Sequence, residues 1–353
     1  MVEAILLVGG LGTRLRPLTE HVPKPMLPVA GVPFVAHQVA RAAAAGVRRV
    51  VLATSYRAEA FERYVPELGQ YGAEVDLMLE ATPLGTAGAI RNAAERLGSD
   101  PDEPVVVFNG DVLDGHDLAA QLARHREFDA DVTLYLTEVD DPRAFGSVLV
   151  GADGRVSEFL EKSPEPVTNR VNAGCYVFRR SVLDAIPAGR VVSVERETFP
   201  ALLEQNRMVL GHVDRAYWTD LGTPELYVQG SADLVRGVIV PSARPGPPGE
   251  ALVLPGADVH PSARVYGGSS VLPGAVVGPD CVIEGSVVMA DAVVGAATRV
   301  RMSAIGHGAH VAEEVVVDHA VVGADARIGS GNELRHGARV SAGLDLPPDS
   351  LHF

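Results

Sequence analysis

Apolar positions along the chain follow two different rhythms, and the change falls near residue 240. Before it, short apolar runs alternate with longer stretches of helical period, the pattern of a layered α/β sheet. The runs predict strands at residues 4–8, 49–53, 75–79, 105–108, 132–136 and 175–178. Between them the spacing predicts helices over 34–45 and 86–97, closed by Gly46 and Gly98, where glycine accepts the left-handed cap. A hairpin is expected over 147–160, turning at Ala152-Asp153-Gly154.

PSARPGPPG, residues 241–249, reads as a linker by composition. Beyond it the period becomes six, through Val253, Val259, Val265, Val271, Val277 and Ile283, and again through Val316, Val322, Ile328, Leu334, Val340 and Leu346. Between these runs Val294 and Val300, then Ile305 and Val311, keep the spacing but change phase. One aliphatic per short strand, with glycines and small residues at the corners, predicts coils that protect one another only as a stack. The segment resembles a left-handed parallel β-helix of hexapeptide repeats. The expected organisation is therefore a domain over 1–236, a linker over 237–250 and a β-helix over 251–353. The β-helix is expected to serve as a stacking module that makes the protein a homo-oligomer.

A chain of 353 residues has length for a core in each domain, and its net charge of -15 argues against nucleic acid or an anionic membrane surface as partner. Cys175 and Cys281 lie far apart with no CxxC pairing, which predicts neither a disulfide framework nor a zinc site and fits a reducing cytoplasm. The apolar run in MVEAILLVGG stops at glycine after a strand's length, so it reads as neither signal peptide nor membrane span. Of thirty basic residues only Lys24 and Lys162 are lysine. Where arginine is so strongly preferred, a retained lysine marks a place for a compact ammonium rather than a planar fork.

Lys24 closes VGGLGTRLRPLTEHVPKPMLP, residues 8–28, directly after the first strand. Gly9, Gly10 and Gly12 let backbone amides approach phosphate oxygens, and Arg14 and Arg16 add charge-assisted donors. Leu15 occupies the place of a third dinucleotide-fold glycine, and no GK[ST] makes this an ATPase loop. Extended through PKPMLP, the signature resembles that of the sugar-nucleotide pyrophosphorylases, or sugar-1-phosphate nucleotidylyltransferases, most closely the mannose-1-phosphate guanylyltransferases. The resemblance continues through PLGTAG (83–88), FNGD (108–111), FLEK (159–162), NAGCYVF (172–178), SVERETFP (193–200) and WTDLGTP (218–224). Ser163 departs from it, standing where the family usually has proline.

The resemblance implies a Rossmann-like nucleotide-diphospho-sugar transferase domain that makes GDP-mannose and pyrophosphate from GTP and α-D-mannose 1-phosphate. It assigns the nucleotide to Gly9, Gly10, Gly12, Thr13, Arg14, Lys24, Glu80 and Gly85, and the sugar to Gly146, Glu161, Lys162, Asn172 and Gly174. Asp111 and Asp220 would hold Mg²⁺, and Arg14, Lys24, Asp111 and Lys162 would carry the chemistry. At Glu80 a carboxylate matches the paired N1–H and N2–H₂ donors of guanine. Thymidylyl, adenylyl or uridylyl transfer on the same fold, or guanylyl transfer to a manno-configured heptose, would differ only in the base and sugar pockets. A non-catalytic regulatory subunit is the alternative of another class, against which both lysines and both aspartates stand. The β-helix histidines His307, His310, His319 and His336 are expected on solvated coil positions. Every motif precedes residue 236, so truncation there is expected to leave a smaller species with some activity.

Overall fold

The computed structural model describes residues 2–55, 57–240 and 243–352. Packing divides the chain into two compact units, one formed by the residues to Gly10 together with Gln38–Trp218, the other by Leu11–His37 together with Thr219 onward.

The first unit is built on a nine-stranded sheet, with strands β1 (Glu3–Leu7), β2 (Arg49–Thr54), β3 (Glu74–Leu79), β4 (Pro104–Asn109), β5 (Val132–Glu138), β6 (Gly146–Val150), β7 (Val156–Glu161), β8 (Arg170–Arg179) and β9 (Val209–Val213). Its main path runs β7-β6-β8-β4-β1-β2-β3, with β5 pairing β8 and β9 pairing β5. β3, β2, β1 and β4 are parallel neighbours, and β8 lies antiparallel to β4. The inner strands β1, β2 and β4 are covered on both faces, which is why they read as apolar runs in the sequence, whereas the edge strand β3 has no buried position and carries Asp76. Val105, Val106 and Val107 of β4 are fully buried, as are Ala4 and Ile5 of β1.

The expected strands fall within a residue or two of the observed ones except β8, which begins at Arg170 rather than near 175 because its first half is interrupted by a register shift between Asn172 and Tyr176. Helices α1 (Phe34–Ala44) and α2 (Gly85–Ala94) match the helical spacing, α2 stopping before 97 in a succession of turns. The hairpin over 147–160 is the β6–β7 pair.

The β-helix of the second unit comprises three parallel sheets of six, six and five strands. Val253, Val271, Val288, Ile305, Val322 and Val340 form one column, inward and buried from Val271 on, with Val253 on the first coil exposed. A second is Val259, Val277, Val294, Val311, Ile328 and Leu346, and the third is Val265, Ile283, Val300, Val317 and Leu334. Steps along the first column are eighteen residues at each end and seventeen in the three between, which accounts for the change of phase. The missing residue is dropped at one corner, where Ile283 is followed by Val288, Val300 by Ile305 and Val317 by Val322. One expected position is corrected by this shortening: Val317, fully buried, takes the column in place of Val316.

Buried serines make the short corner possible. Ser269 Oγ accepts the Ser286 N–H at 3.0 Å, Ser286 Oγ that of Ser303 at 3.1 Å, and Ser303 Oγ that of Ala320 at 3.0 Å. Each hydroxyl thus satisfies an amide that the tighter turn would strand without a partner in the interior. The four histidines lie on exposed coil positions.

Helix α3 (Pro224–Arg236) lies beside the β-helix in this unit, Ala232 filling the space next to Gly268. Against α3 rests the 11–37 segment, where Ser231 Oγ accepts the Ala30 N–H and the Tyr227 hydroxyl donates to Pro28 O. The linker is tied down too: Arg244 donates to Leu234 O and the Gly249 N–H to Val235 O, while Pro241 and Ser242 lie outside the described residues. Truncation at 236 therefore uncovers Gly31, which packs against Leu252 and Leu254, and strips support from the loop that carries Lys24. Loss of activity, with a lowered melting temperature, is expected in place of the partial retention the motif positions alone imply. Among the described residues no helix is long and apolar enough to cross a membrane.

Candidate active site

In the first unit the candidate residues gather where parallel strands end at their carboxyl edge, the ligand-binding edge of open α/β sheets. Asp111 is set there by its neighbour: the Gly110 N–H donates to Leu7 O at 2.9 Å, and a Cβ on Gly110 would stand only 2.1 Å from that carbonyl. Only glycine lets β1 and β4 close this way. The turn is bracketed by Gln38, whose amide donates to Asn109 O at 2.9 Å and Val112 O at 3.1 Å. Gln38 was not legible as a functional position, since a single glutamine on a helix face carries no local sign of partners so far along the chain. Of the first two loop glycines, Gly9 packs closely on Ser55, whereas the space a side chain at Gly10 would fill is open. Gly10 is thus the one whose bareness the protein's own packing does not demand.

Glu80 follows β3 and is only 6% exposed, although glutamate at a strand end is ordinarily solvated. Its Oε2 accepts the Leu84 N–H at 3.0 Å. Burial pushes its carboxyl above the usual range, and the Leu84 N–H partly opposes that shift. Gly85 is held by the fold itself, with φ of +71° and the Val192 carbonyl 2.6 Å from where a Cβ would lie. Val192 O also accepts the amides of Ala87 and Gly88.

Glu161 and Lys162 end the β6–β7 hairpin. Glu161 is largely buried, its Oε2 only 2.7 Å from the position of a Cβ on Gly146, so the glycine makes room for the carboxylate. Burial raises the Glu161 carboxyl, and the Lys162 ammonium, 3.6 Å from Oε1, works against that. Lys162 itself has φ of +52°, a conformation that side-chain-bearing residues adopt rarely, and its N–H is fixed on Phe145 O at 3.2 Å. The stem is thus anchored while the side chain remains 61% exposed. Asn172 spans the register shift in β8, Nδ2 donating to the Tyr176 hydroxyl at 2.8 Å and Oδ1 accepting the Gly174 N–H at 3.1 Å. Two of its four hydrogen-bonding positions are therefore committed to shaping the strand. Trp218 is anchored here as well, donating to Ala173 O at 3.0 Å and meeting Phe145 edge-on.

In the second unit Arg14, Lys24 and Asp220 come together. Lys24 Nζ lies 3.4 Å from Asp220 Oδ1, and Arg14 Nη2 lies 3.4 Å from Oδ2. Lys24 is 8% exposed, so its charge sits where water screens it little. Gly12, at φ of +61°, opens the short turn Thr13–Leu15, and its carbonyl accepts from the buried Thr19 hydroxyl at 2.7 Å. Thr13 is exposed. The pairs on Asp220 are long for charge-assisted hydrogen bonds. Among the described residues no group of three or more His, Cys, Asp or Glu side chains is gathered as a closed metal cage. A donor set of one or two carboxylates suits a hard divalent ion that keeps water and takes its remaining oxygens from a phosphate.

The nucleotidyl transferase family profile matches residues 3–237, and the GMPPB C-terminal domain profile matches 248–341. The chain is 51% identical over 353 residues to a mannose-1-phosphate guanylyltransferase of Mycobacterium tuberculosis, covering 100% of this chain and 98% of that protein. It is 37% identical over 269 residues to a mannose-1-phosphate guanylyltransferase catalytic subunit beta of Drosophila pseudoobscura pseudoobscura, covering 74% of this chain and 72% of the other. Among solved structures, HddC from Yersinia pseudotuberculosis in complex with GMP-PN superposes with a TM-score of 0.56 at 29% identity, over 66% of this chain and all of HddC.

Proposed function

The chain belongs to the nucleotidyl transferase family, and on that premise we propose that it makes GDP-mannose and pyrophosphate from GTP and α-D-mannose 1-phosphate. The observation that carries this reading is the match to a guanylyltransferase of that specificity along the whole chain, 51% over 353 residues. Buried Glu80 supports the choice of base.

A sugar-phosphate oxygen attacks the α-phosphorus in line with departing pyrophosphate, and no protein nucleophile is required. Catalysis is then positioning and charge neutralisation. Arg14 and Lys24 move from Asp220 onto the triphosphate, with the amides of the Gly9–Thr13 loop approaching its oxygens. Glu161, Asn172 and the backbone at Gly146 and Gly174 hold the sugar. Asp111 and Asp220 are the carboxylates that would hold a divalent metal, proposed as Mg²⁺. When bound, that ion supplies positive charge at the α-phosphate. Both cysteines are buried free thiols, which supports a reducing cytoplasmic setting. The ends of the β-helix offer strand edges for self-association, a role that a monomeric mass by light scattering would remove.

Pyrophosphate release measured across five nucleoside triphosphates and several sugar 1-phosphates is expected to be greatest for GTP with mannose 1-phosphate. A preference for dTTP or UTP would overturn the guanylyl assignment and leave only the family.

Lys162→Arg tests the retained lysine. The backbone anchor on Phe145 delivers a flexible stem to one place, and a planar guanidinium cannot follow an oxygen there as an ammonium does. Turnover is expected to fall at least ~10-fold, with GTP binding retained, on the scale of misdirecting one charge-assisted contact. Unchanged kinetics would make the lysine incidental.

A further inference from the structure

We infer that Arg339, on the β-helix, is a positioning residue for the nucleotide loop. It lies on the strand Arg339–Val340, beside Val321–Val322 of the preceding coil. Its Nη1 donates to Arg14 O at 2.7 Å and to Arg16 O at 3.1 Å. Three residues further on, the Ala342 N–H donates to Glu20 Oε2 at 3.2 Å. Two points of the sixth β-helix coil therefore grip one loop.

The choice of carbonyls is informative. Within the loop, Gly12 O accepts the Leu15 N–H, Thr13 O that of Arg16, and Leu15 O that of Leu18. Arg339 takes the carbonyls of Arg14 and Arg16, which alternate with those the turns use. It thus completes the end of a three-residue helical turn, where carbonyls lack partners of their own and attract a cation. That turn carries Thr13 and Arg14, and its residues lead from Gly12 toward the Arg14–Asp220 pair. An isolated turn of this length is not self-supporting, because one or two hydrogen bonds do not offset the backbone order they require. Arg339 supplies the missing constraint from outside. The direction of the loop amides, and of Arg14 itself, is then set partly by a domain that holds none of the catalytic motifs.

This assignment rests on the reading of residues 9–24 as the triphosphate loop. It is tested in the full-length protein with Arg339→Ala and Arg339→Lys. Hydrogen exchange in the ligand-free protein is expected to quicken at Leu15, Arg16 and Leu18 in Arg339→Ala, with the melting temperature little changed. The KM for GTP is expected to rise about tenfold, the scale of losing a charge-assisted partner at an exposed site, while the KM for mannose 1-phosphate stays within about twofold. Arg339→Lys, which restores the charge without the fork, is expected to recover part of the loss. Faster exchange with unchanged GTP kinetics, or an equal rise in both KM values, overturns the positioning role. Wild-type protein that does not turn over GTP overturns the functional reading instead, and the exchange data still report whether Arg339 holds the loop.

Discussion

Asp111→Asn is expected to reduce turnover by at least ~10²-fold, the scale of losing one key electrostatic stabiliser, while the protein stays folded. The substitution keeps shape and removes charge. Shape is what the surrounding backbone reads: Gly110 closes on Leu7 O, and Gln38 pins the carbonyls of Asn109 and Val112 on either side of the turn. Those bonds are made by backbone and by Gln38, and an amide matches a carboxylate in size, so the turn is expected to keep its form. A neutral oxygen, however, competes poorly with water for a hard divalent ion. Pyrophosphate release at limiting Mg²⁺ should fall most steeply, and excess Mg²⁺ should restore only part of it. Near-normal release at limiting Mg²⁺, from protein with an unchanged melting temperature, would remove Asp111 from the metal site.

What could be read from the sequence was whatever burial writes locally. Parallel strands enclosed on both faces become apolar runs, so β1, β2 and β4 were visible to within a residue or two, and the six-residue period marked the β-helix. The phase change was visible too, but its cause was not: a coil shortened by one residue at the Ser269–Ser286–Ser303 corner depends on hydroxyls that accept amides from the next coil. The same shortening moved the inward position from Val316 to Val317. Motifs named the candidate residues because these are gathered in short strings. Arg339 and Gln38 escaped because their meaning lies in carbonyls 325 and 71 residues away, and nothing beside them in the chain records it. Glu80 stood between these cases: the chemistry of a carboxylate toward guanine could be argued from the sequence, whereas its burial could not.

That burial sharpens the second large expectation, which is that Glu80→Gln shifts base preference more than any other single change. An exposed carboxylate would lose little by facing the wrong base, because water would satisfy it. At 6% exposure, with Oε2 already taken by the Leu84 N–H, Glu80 has little recourse to solvent. Guanine presents two adjacent donors to it, while thymine and uracil present carbonyl lone pairs and adenine no matching pair. A site built around a buried hydrogen-bonding group can discriminate by up to ~10⁴-fold, since the wrong partner leaves that group desolvated and unpaired. Glutamine keeps the Leu84 contact through its carbonyl oxygen but turns a donor toward the base. GTP use is therefore expected to weaken, the margin over dTTP and UTP to narrow, and the affinities for Mg²⁺ and mannose 1-phosphate to stay nearly constant. A pH signature accompanies this. Burial raises the Glu80 pKa, so as pH falls this carboxyl takes up a proton before an exposed glutamate would and ceases to be a pure acceptor. The KM for GTP should consequently rise toward acid pH in the wild type, and Glu80→Gln, having no proton to gain, should lack that limb. A variant whose nucleotide preference and acid limb both match wild type would show that Glu80 supports the Leu84 turn and does not read the base.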